Sequence, residues 1–320
     1  MSKTMRQVFG EALNLFAEEF PNMVVLDADV SSSTQTRLFQ QKFPERFFNF
    51  GIAEANMAAA AAGMAACGKI PVISTFAFLM AVRAMDPIHS MIAYNRLNVK
   101  IAGGYAGLSD FADGASHQGI CDMAMMRAVP GITIFAPSDE ESTVQAVHEM
   151  LLCKGPIYLR LSRDAVQSLH GTGPMDMVGK VNELHSGRDV ALVCTGTMLD
   201  AALSARERLL KKGIDAAILE AICVKPLDEE AIRRAARRYG RLVTLEEHTV
   251  LGGLGDAVCA AVCQDRPVPV KKIGLQDCFG ESARGYAQLL SAHELDGVGI
   301  ARQVESFVRK PGNNDGGYEP

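Results

Sequence analysis

Short apolar runs alternate with stretches of helical period over most of the 320-residue chain, and that alternation predicts an α/β protein built on parallel sheets. Residues 5–20 repeat their apolar positions at helical spacing and stop at Pro21. Val24-Val25-Leu26-Asp27-Ala28-Asp29 then reads as a buried strand that ends in two acids, at the carboxyl end where sites of such sheets gather. The aromatic run Phe47-Phe48-Asn49-Phe50 reads as a strand that passes through Gly51 into a helix of alanine and methionine. Residues 71–76, 98–104 and 132–137 are further strands. After the last of them, Ser138-Asp139-Glu140-Glu141 has the composition of a capping box opening a helix towards Leu152.

Between residues 166 and 184 the chain turns to Gly, Ser, Pro and Met without a period, which predicts a linker between a domain at 1–165 and a second at 185–308. The second domain repeats the βαβ pattern, with strands at 189–194, 216–219 and 242–245 and helices at 201–212 and 228–239. The glycine- and asparagine-rich end, 309–320, reads as a flexible tail.

A net charge of -5 with both signs interspersed argues against nucleic acid and anionic membranes as partners. No apolar stretch reaches the length of a membrane span, and the first residues lack a signal-peptide core, so a cytoplasmic protein is expected. The eight cysteines lie in apolar surroundings, Cys67, Cys194, Cys223 and Cys259 among them, and are expected to be reduced core residues. Cys259 and Cys263 stand one helical turn apart but lack two further ligands, so no metal site is assigned to this chain.

Glu54 opens a helix too apolar to face water, with no cation nearby in sequence. It is either a first-turn acid favoured by the helix dipole or a buried carboxylate with a specific partner. The glycine-rich loop from Gly103 to Gly119 carries Asp113 and His117, which suit turn and cap chemistry as well as a functional loop. Arg163, just after a strand, suits an anion such as phosphate or pairing with an acid. Gly252-Gly253-Leu254-Gly255 lacks the full dinucleotide pattern and is read as a tight strand-to-helix turn.

Taken together, Phe-Asn-Phe-Gly-Ile-Ala-Glu at 48–54, Ser-Thr-Phe at 74–76, Asp-Gly-Ala-Ser-His-Gln at 113–118, Pro-Ser-Asp at 137–139, Leu-Ser-Arg at 161–163 and Glu246-Glu247-His248 before Gly252-Gly253-Leu254-Gly255 resemble the C-terminal half of transketolase, in that family's order. The resemblance spans residues 5 to about 308. It implies a pyrimidine-binding domain of a thiamine diphosphate enzyme followed by the family's C-terminal domain.

By that resemblance Glu54 binds N1′ of the aminopyrimidine and lets its 4′-nitrogen take the proton from the thiazolium carbon, while Phe78, or Phe76, stacks on the ring and Asp29 lies at the cofactor. His117 and Asp113 contact the ketose hydroxyls, and His117 moves protons during carbon–carbon cleavage. Arg163, Arg6 and Ser33 hold the distal anionic group. Where many transketolases carry a histidine, this chain has Tyr105. No Gly-Asp-Gly followed by Asn is found, so the diphosphate and its Mg2+ are expected on a partner chain, an N-terminal transketolase subunit, in an assembly of two copies each. Alternatives within the cofactor class are the beta subunit of a 2-oxo acid dehydrogenase and a 1-deoxyxylulose-5-phosphate synthase-like fragment. A non-catalytic regulatory subunit is the alternative outside it.

Overall fold

The computed structural model describes residues 3–171 and 173–310, which build two sheets covered by helices. The first sheet contains β1 (Met23–Asp27), β2 (Phe47–Asn49), β3 (Ile70–Phe76), β4 (Lys100–Gly104), β5 (Thr133–Phe135) and β6 (Ile157–Arg160). The second contains β7 (Asn182–His185), β8 (Val190–Cys194), β9 (Ala216–Glu220), β11 (Leu242–Thr249) and β12 (Val270–Leu275), while β10 (Cys223–Lys225) belongs to the first. The strand orders are β10-β5-β6-β4-β3-β1-β2 and β12-β11-β8-β9-β7. Pairing is parallel except where β10 meets β5 and β7 meets β9. Five strands, β1, β4, β6, β8 and β9, are buried along their whole length, which explains why they read as largely apolar runs in the sequence.

Several expected boundaries shift for local reasons. The first helix, Met5–Phe16, stops short of Phe20, although one more helical-type bond, from the Phe20 N–H to the Phe16 carbonyl at 3.1 Å, follows in the turn after it. The capping box sits one residue later than its composition implied: Asp139 caps the Glu140–Leu152 helix, accepts the Ser142 N–H at 2.9 Å, and Ser142 rather than Glu141 returns the second bond. The helix expected at 201–212 runs Met198–Leu210. Edge strand β7 begins within the predicted linker and crosses its end, and β10 leaves the second domain to pair with the first sheet. Residues 311–320 of the expected tail lie outside the described residues, but Arg309 still ends a helix, Gly297–Arg309.

Two expectations about burial are corrected. All eight cysteines are free, and Cys194 and Cys223 are buried, but Cys67, Cys263 and Cys278 are exposed. Cys67 follows the last residue of the alanine-methionine helix, Glu54–Ala66, and that helix buries only one side. Met57, Ala58, Ala61 and Ala62 face the core; Ala55, Asn56, Gly63 and Ala66 face outward, beside an Ile52 that is 75 % exposed.

The two halves share an apolar core that runs from Ile73 and Ile101 through Met123 and Met126 to Val193 and Leu254. Polar bridges cross it. Arg160, at the end of β6, donates from Nε to Asp122 Oδ2 at 2.9 Å and from Nη2 to the carbonyls of Gly119 and Glu247 at 3.0 and 2.9 Å. Tyr158 donates to the same Asp122 oxygen at 2.7 Å. Burial disfavours the guanidinium charge, yet Asp122 raises the Arg160 pKa above its ordinary value. Among the described residues no helix is long and apolar enough to cross a membrane, and no group of three or more His, Cys, Asp or Glu is placed to hold a metal.

His170, in the segment joining the domains, lies between two fully buried carboxylates. Its Nε2 is 2.9 Å from Glu220 Oε2, and its Nδ1 is 3.1 Å from Asp139 Oδ2, a charge contact off the hydrogen-bond direction. Asp139 first and Glu220 second lift the imidazole pKa to about 10, against the opposing effect of burial. The protonated form therefore stabilises the fold fully below the unfolded value of ~6.5, and this contribution is lost as pH rises through about 10. His170→Gln is expected to cost about 3 kcal/mol at pH 6 by leaving the carboxylates unneutralised. The gap in unfolding free energy between wild type and variant should close towards pH 10. Taking the difference cancels Lys100, whose pKa burial lowers to about 7 and whose contribution runs the opposite way. Urea unfolding at pH 6, 8 and 10 measures the gap; a constant gap would exclude the imidazolium as its source.

Candidate functional site

Glu54 begins its helix with only 4 % of its surface exposed. The cation missing from its sequence neighbourhood comes from Arg83, in the last turn of the Ala77–Arg83 helix, whose Nη1 lies 3.1 Å from Glu54 Oε1. Among the described residues no hydrogen bond is made to Oε2. The turn before the helix is stapled by Asn49, which accepts the N–H groups of Asp29 and Gly51 at 3.1 and 2.9 Å and donates to the Asp29 carboxylate at 3.0 Å. Asp29 is exposed, in the left-handed region (φ 67°), at the strand end where the sequence placed it.

A second cluster forms around Tyr105. This residue follows β4, has φ 59° and is only 4 % exposed, so its ring is held in place by packing despite an uncommon backbone conformation. Phe76, which precedes the Ala77–Arg83 helix, packs on it with ring centroids 4.3 Å apart and meets the His117 ring edge-on at 5.8 Å. The guanidiniums of Arg6 and Arg163 sit over the Tyr105 ring at 5.6 and 5.3 Å. Arg6 Nη1 also bonds the Tyr105 hydroxyl at 2.6 Å and the Ser33 carbonyl at 3.1 Å. The structure thus gathers Arg6, Ser33, Phe76, Tyr105, His117 and Arg163, drawn from separate segments of the chain.

Glu54 stands apart from this cluster. The Ala77–Arg83 helix separates them, with Phe76 at one end and Arg83 at the other, about 10 Å along seven residues. Phe78 is half-buried and turns to an apolar cavity of about 690 Å³ between the domains, shared with Gln118, Ile120, Thr249, Leu251 and Phe279. Asp113 is exposed at the loop tip. His117 is half-buried, with Nδ1 2.9 Å from the Ser116 hydroxyl.

Arg163 resolves its two readings in favour of an acid. Its Nη1 bonds Oδ1 of Asp110 at 2.9 Å, and Asp110 is fully buried. Burial first, and the Asp113 carboxylate second, push the Asp110 pKa up, while Arg163 and His117 pull it down. Fifty-three positions separate the pair, so no spacing in the sequence joins them.

The second domain holds the loop that carries these groups. Glu247 accepts the Leu108 N–H at 2.5 Å, and its other oxygen is bonded by Thr197 and Tyr286 at 2.8 and 2.5 Å. Gly107, at φ 65°, lies so close that an added Cβ would be 2.4 Å from the Glu247 carboxylate, so a side chain is excluded there twice over. The Phe111 carbonyl accepts the Ala283 N–H at 2.7 Å, and Gln118 donates to the Glu281 carbonyl at 2.9 Å. His248 is buried and neutral: burial lowers its pKa to about 4, Nδ1 donates to the Thr249 carbonyl at 2.7 Å and Nε2 accepts the Ala124 N–H at 3.2 Å. At the Gly252–Gly255 turn, Glu246 accepts the N–H groups of Leu254 and Gly255 at 2.7 and 2.8 Å. Those donors, which a phosphate loop would offer to its ligand, are already satisfied by the protein.

The chain matches the transketolase pyrimidine-binding domain over residues 1–168 and the transketolase C-terminal domain over 179–300. It is 37 % identical to the 6-deoxy-6-sulfo-D-fructose transketolase subunit of Clostridium sp. (strain MSTE9), over 87 % of this chain and 86 % of that protein. It is 33 % identical to one of the apulose-4-phosphate transketolase subunits of Phocaeicola vulgatus, over 95 % of this chain and 97 % of that one. A solved split-gene transketolase, described as an inactive β4 tetramer, superposes with a TM-score of 0.87 at 39 % identity, covering 97 % of this chain and 100 % of that one. On both its domains, the chain belongs to the transketolase family.

Proposed function

We propose that this chain is the C-terminal subunit of a split transketolase, which transfers a two-carbon ketol unit from an anionic ketose to an aldose once paired with a chain that carries the diphosphate-binding domain and Mg2+. The observation that carries the proposal is Glu54: a carboxylate 4 % exposed, fixed through Oε1 by Arg83, with Oε2 left without a hydrogen bond among the described residues. It lies at the start of a helix whose outer face, with Ile52, is apolar and bare, so a second chain covering that face would enclose it. A buried carboxylate with one open oxygen fits a ring nitrogen whose proton it can hold, and thiamine diphosphate carries such a nitrogen. The inactivity of the β-only tetramer of the split-gene relative agrees with the need for a partner.

When bound, the cofactor supplies the electron sink for carbon–carbon cleavage. The residues of this chain supply the rest. Glu54 would hold the aminopyrimidine N1′, and Phe76 or Phe78 would pack against its ring. His117, with Nδ1 beside Ser116, has Nε2 available to take and return a proton at a ketose hydroxyl, and Asp113 would orient the neighbouring hydroxyl. Arg6 and Arg163 would face the distal end. The two domains together keep the His117 loop in register, through Glu247 and the 281–283 segment.

Calorimetric titration of thiamine diphosphate with Mg2+ tests the reading, first into the chain alone and then into the chain co-purified with its partner. The expected result is no binding alone and saturable binding with the partner. Tight binding alone would overturn the split site, and none in either case would favour a regulatory subunit.

A further inference from the structure

The cluster around Tyr105 holds two arginines but carries only one uncompensated positive charge, and we propose that Asp110 thereby restricts the distal site to singly charged anions, a sulfonate or carboxylate in preference to a phosphate. The inference deepens the ketol-transfer reading and rests on it.

Arg163 is already neutralised. Its guanidinium bonds Asp110 at 2.9 Å and lies between the rings of Tyr105 and Phe111, at 5.3 and 5.1 Å. Asp110 has no surface exposure, so neither water nor a rotation into solvent separates the pair cheaply. The remaining Arg163 nitrogens can still donate to a ligand, but the ion pair brings no net charge to it. The second Asp110 oxygen, Oδ2, is buried without a hydrogen-bond partner and repels any anion placed beyond Arg163.

Of the two arginines on the Tyr105 ring, Arg6 is the unpaired one. Among the described residues no carboxylate lies within ion-pair distance of it, its Nη1 is spent on the neutral Tyr105 hydroxyl and Ser33 carbonyl, and its Nε is buried with no partner at all. One free guanidinium matches a group of one negative charge. A phosphate monoester carries about -1.5 to -2 at neutral pH, and its excess charge would be desolvated beside Asp110 without compensation.

The test compares the kcat/KM of the assembled two-chain enzyme for four donors on one carbon skeleton: fructose, D-fructuronate, 6-deoxy-6-sulfofructose and fructose 6-phosphate, with one aldose acceptor. The better of the two singly charged donors is expected to exceed the phosphate by about tenfold, and their order identifies sulfonate or carboxylate as the natural group. Asp110→Asn frees Arg163 and is expected to raise kcat/KM for fructose 6-phosphate by about tenfold more than for the better singly charged donor. If that variant does not fold, the wild-type comparison decides alone. Equal or better turnover of the phosphate by the wild type, or a uniform drop for all donors in Asp110→Asn, overturns the proposal. Transfer from none of the four overturns the ketol-transfer reading as well.

Discussion

Glu54→Gln is expected to lower the kcat of the assembled enzyme by about a thousandfold or more, in the upper range of what positioned acid–base groups contribute. Glutamine keeps the size of the side chain but not the negative charge that would hold a proton on the cofactor ring. The fold should survive. Arg83 is 52 % exposed, so its lost pairing is screened by water, and removing a nearly buried charge relieves a desolvation cost. The expected outcome is therefore a melting temperature within a few degrees of wild type, together with retained but weakened cofactor binding by calorimetry. Turnover within about tenfold of wild type would remove Glu54 from the chemistry.

Arg160→Met should act on stability instead. Asp122, fully buried, would keep only the Tyr158 hydroxyl, and the carbonyls of Gly119 and Glu247 would lose their shared donor. Breaking a buried pair from one side costs about 3–5 kcal/mol, which for a chain of this size is a fall of roughly 4–7 °C in melting temperature. The double variant Arg160→Met with Asp122→Leu removes both charges and is expected to recover at least half of the loss. A single variant that melts with the wild type, or a double variant no better than the single, would show that the bridge is not what ties β6 to the second domain. Because Gly119 closes the His117 loop, a partly folded Arg160→Met enzyme should also lose activity ahead of its secondary structure.

The strands that position the site are legible because parallel strands buried on both faces write themselves as continuous apolar runs, as in β1, β4, β8 and β9. Glu54 stands out for the same reason in reverse, an acid where the pattern demands none. Arg6, Ser33, Phe76, His117 and Arg163 enter through family resemblance, and the fold links all five in one cluster: Arg6, Phe76 and Arg163 touch Tyr105, Arg6 reaches Ser33 and Phe76 meets His117. What stays hidden are pairings between distant residues. Arg83 reaches Glu54 across 29 positions and Asp110 reaches Arg163 across 53, and no periodicity encodes either. The exposed Cys67 departs from its apolar sequence context because it caps a helix whose alanines and methionines pack on one side only, a sidedness the small residues do not spell out. Strand β10 is invisible for a different reason: three residues are too few to show a period.

That short strand decides how the gene can be divided. A cut in the 166–184 segment looks natural from the sequence, yet the N-terminal piece it releases would lack β10 and leave β5 with an open row of backbone donors and acceptors. Such an edge invites pairing with a neighbouring copy. The C-terminal piece would carry the orphaned strand without a sheet to receive it. The two modules therefore form one folding unit, and a cut between them is expected to leave two incomplete pieces.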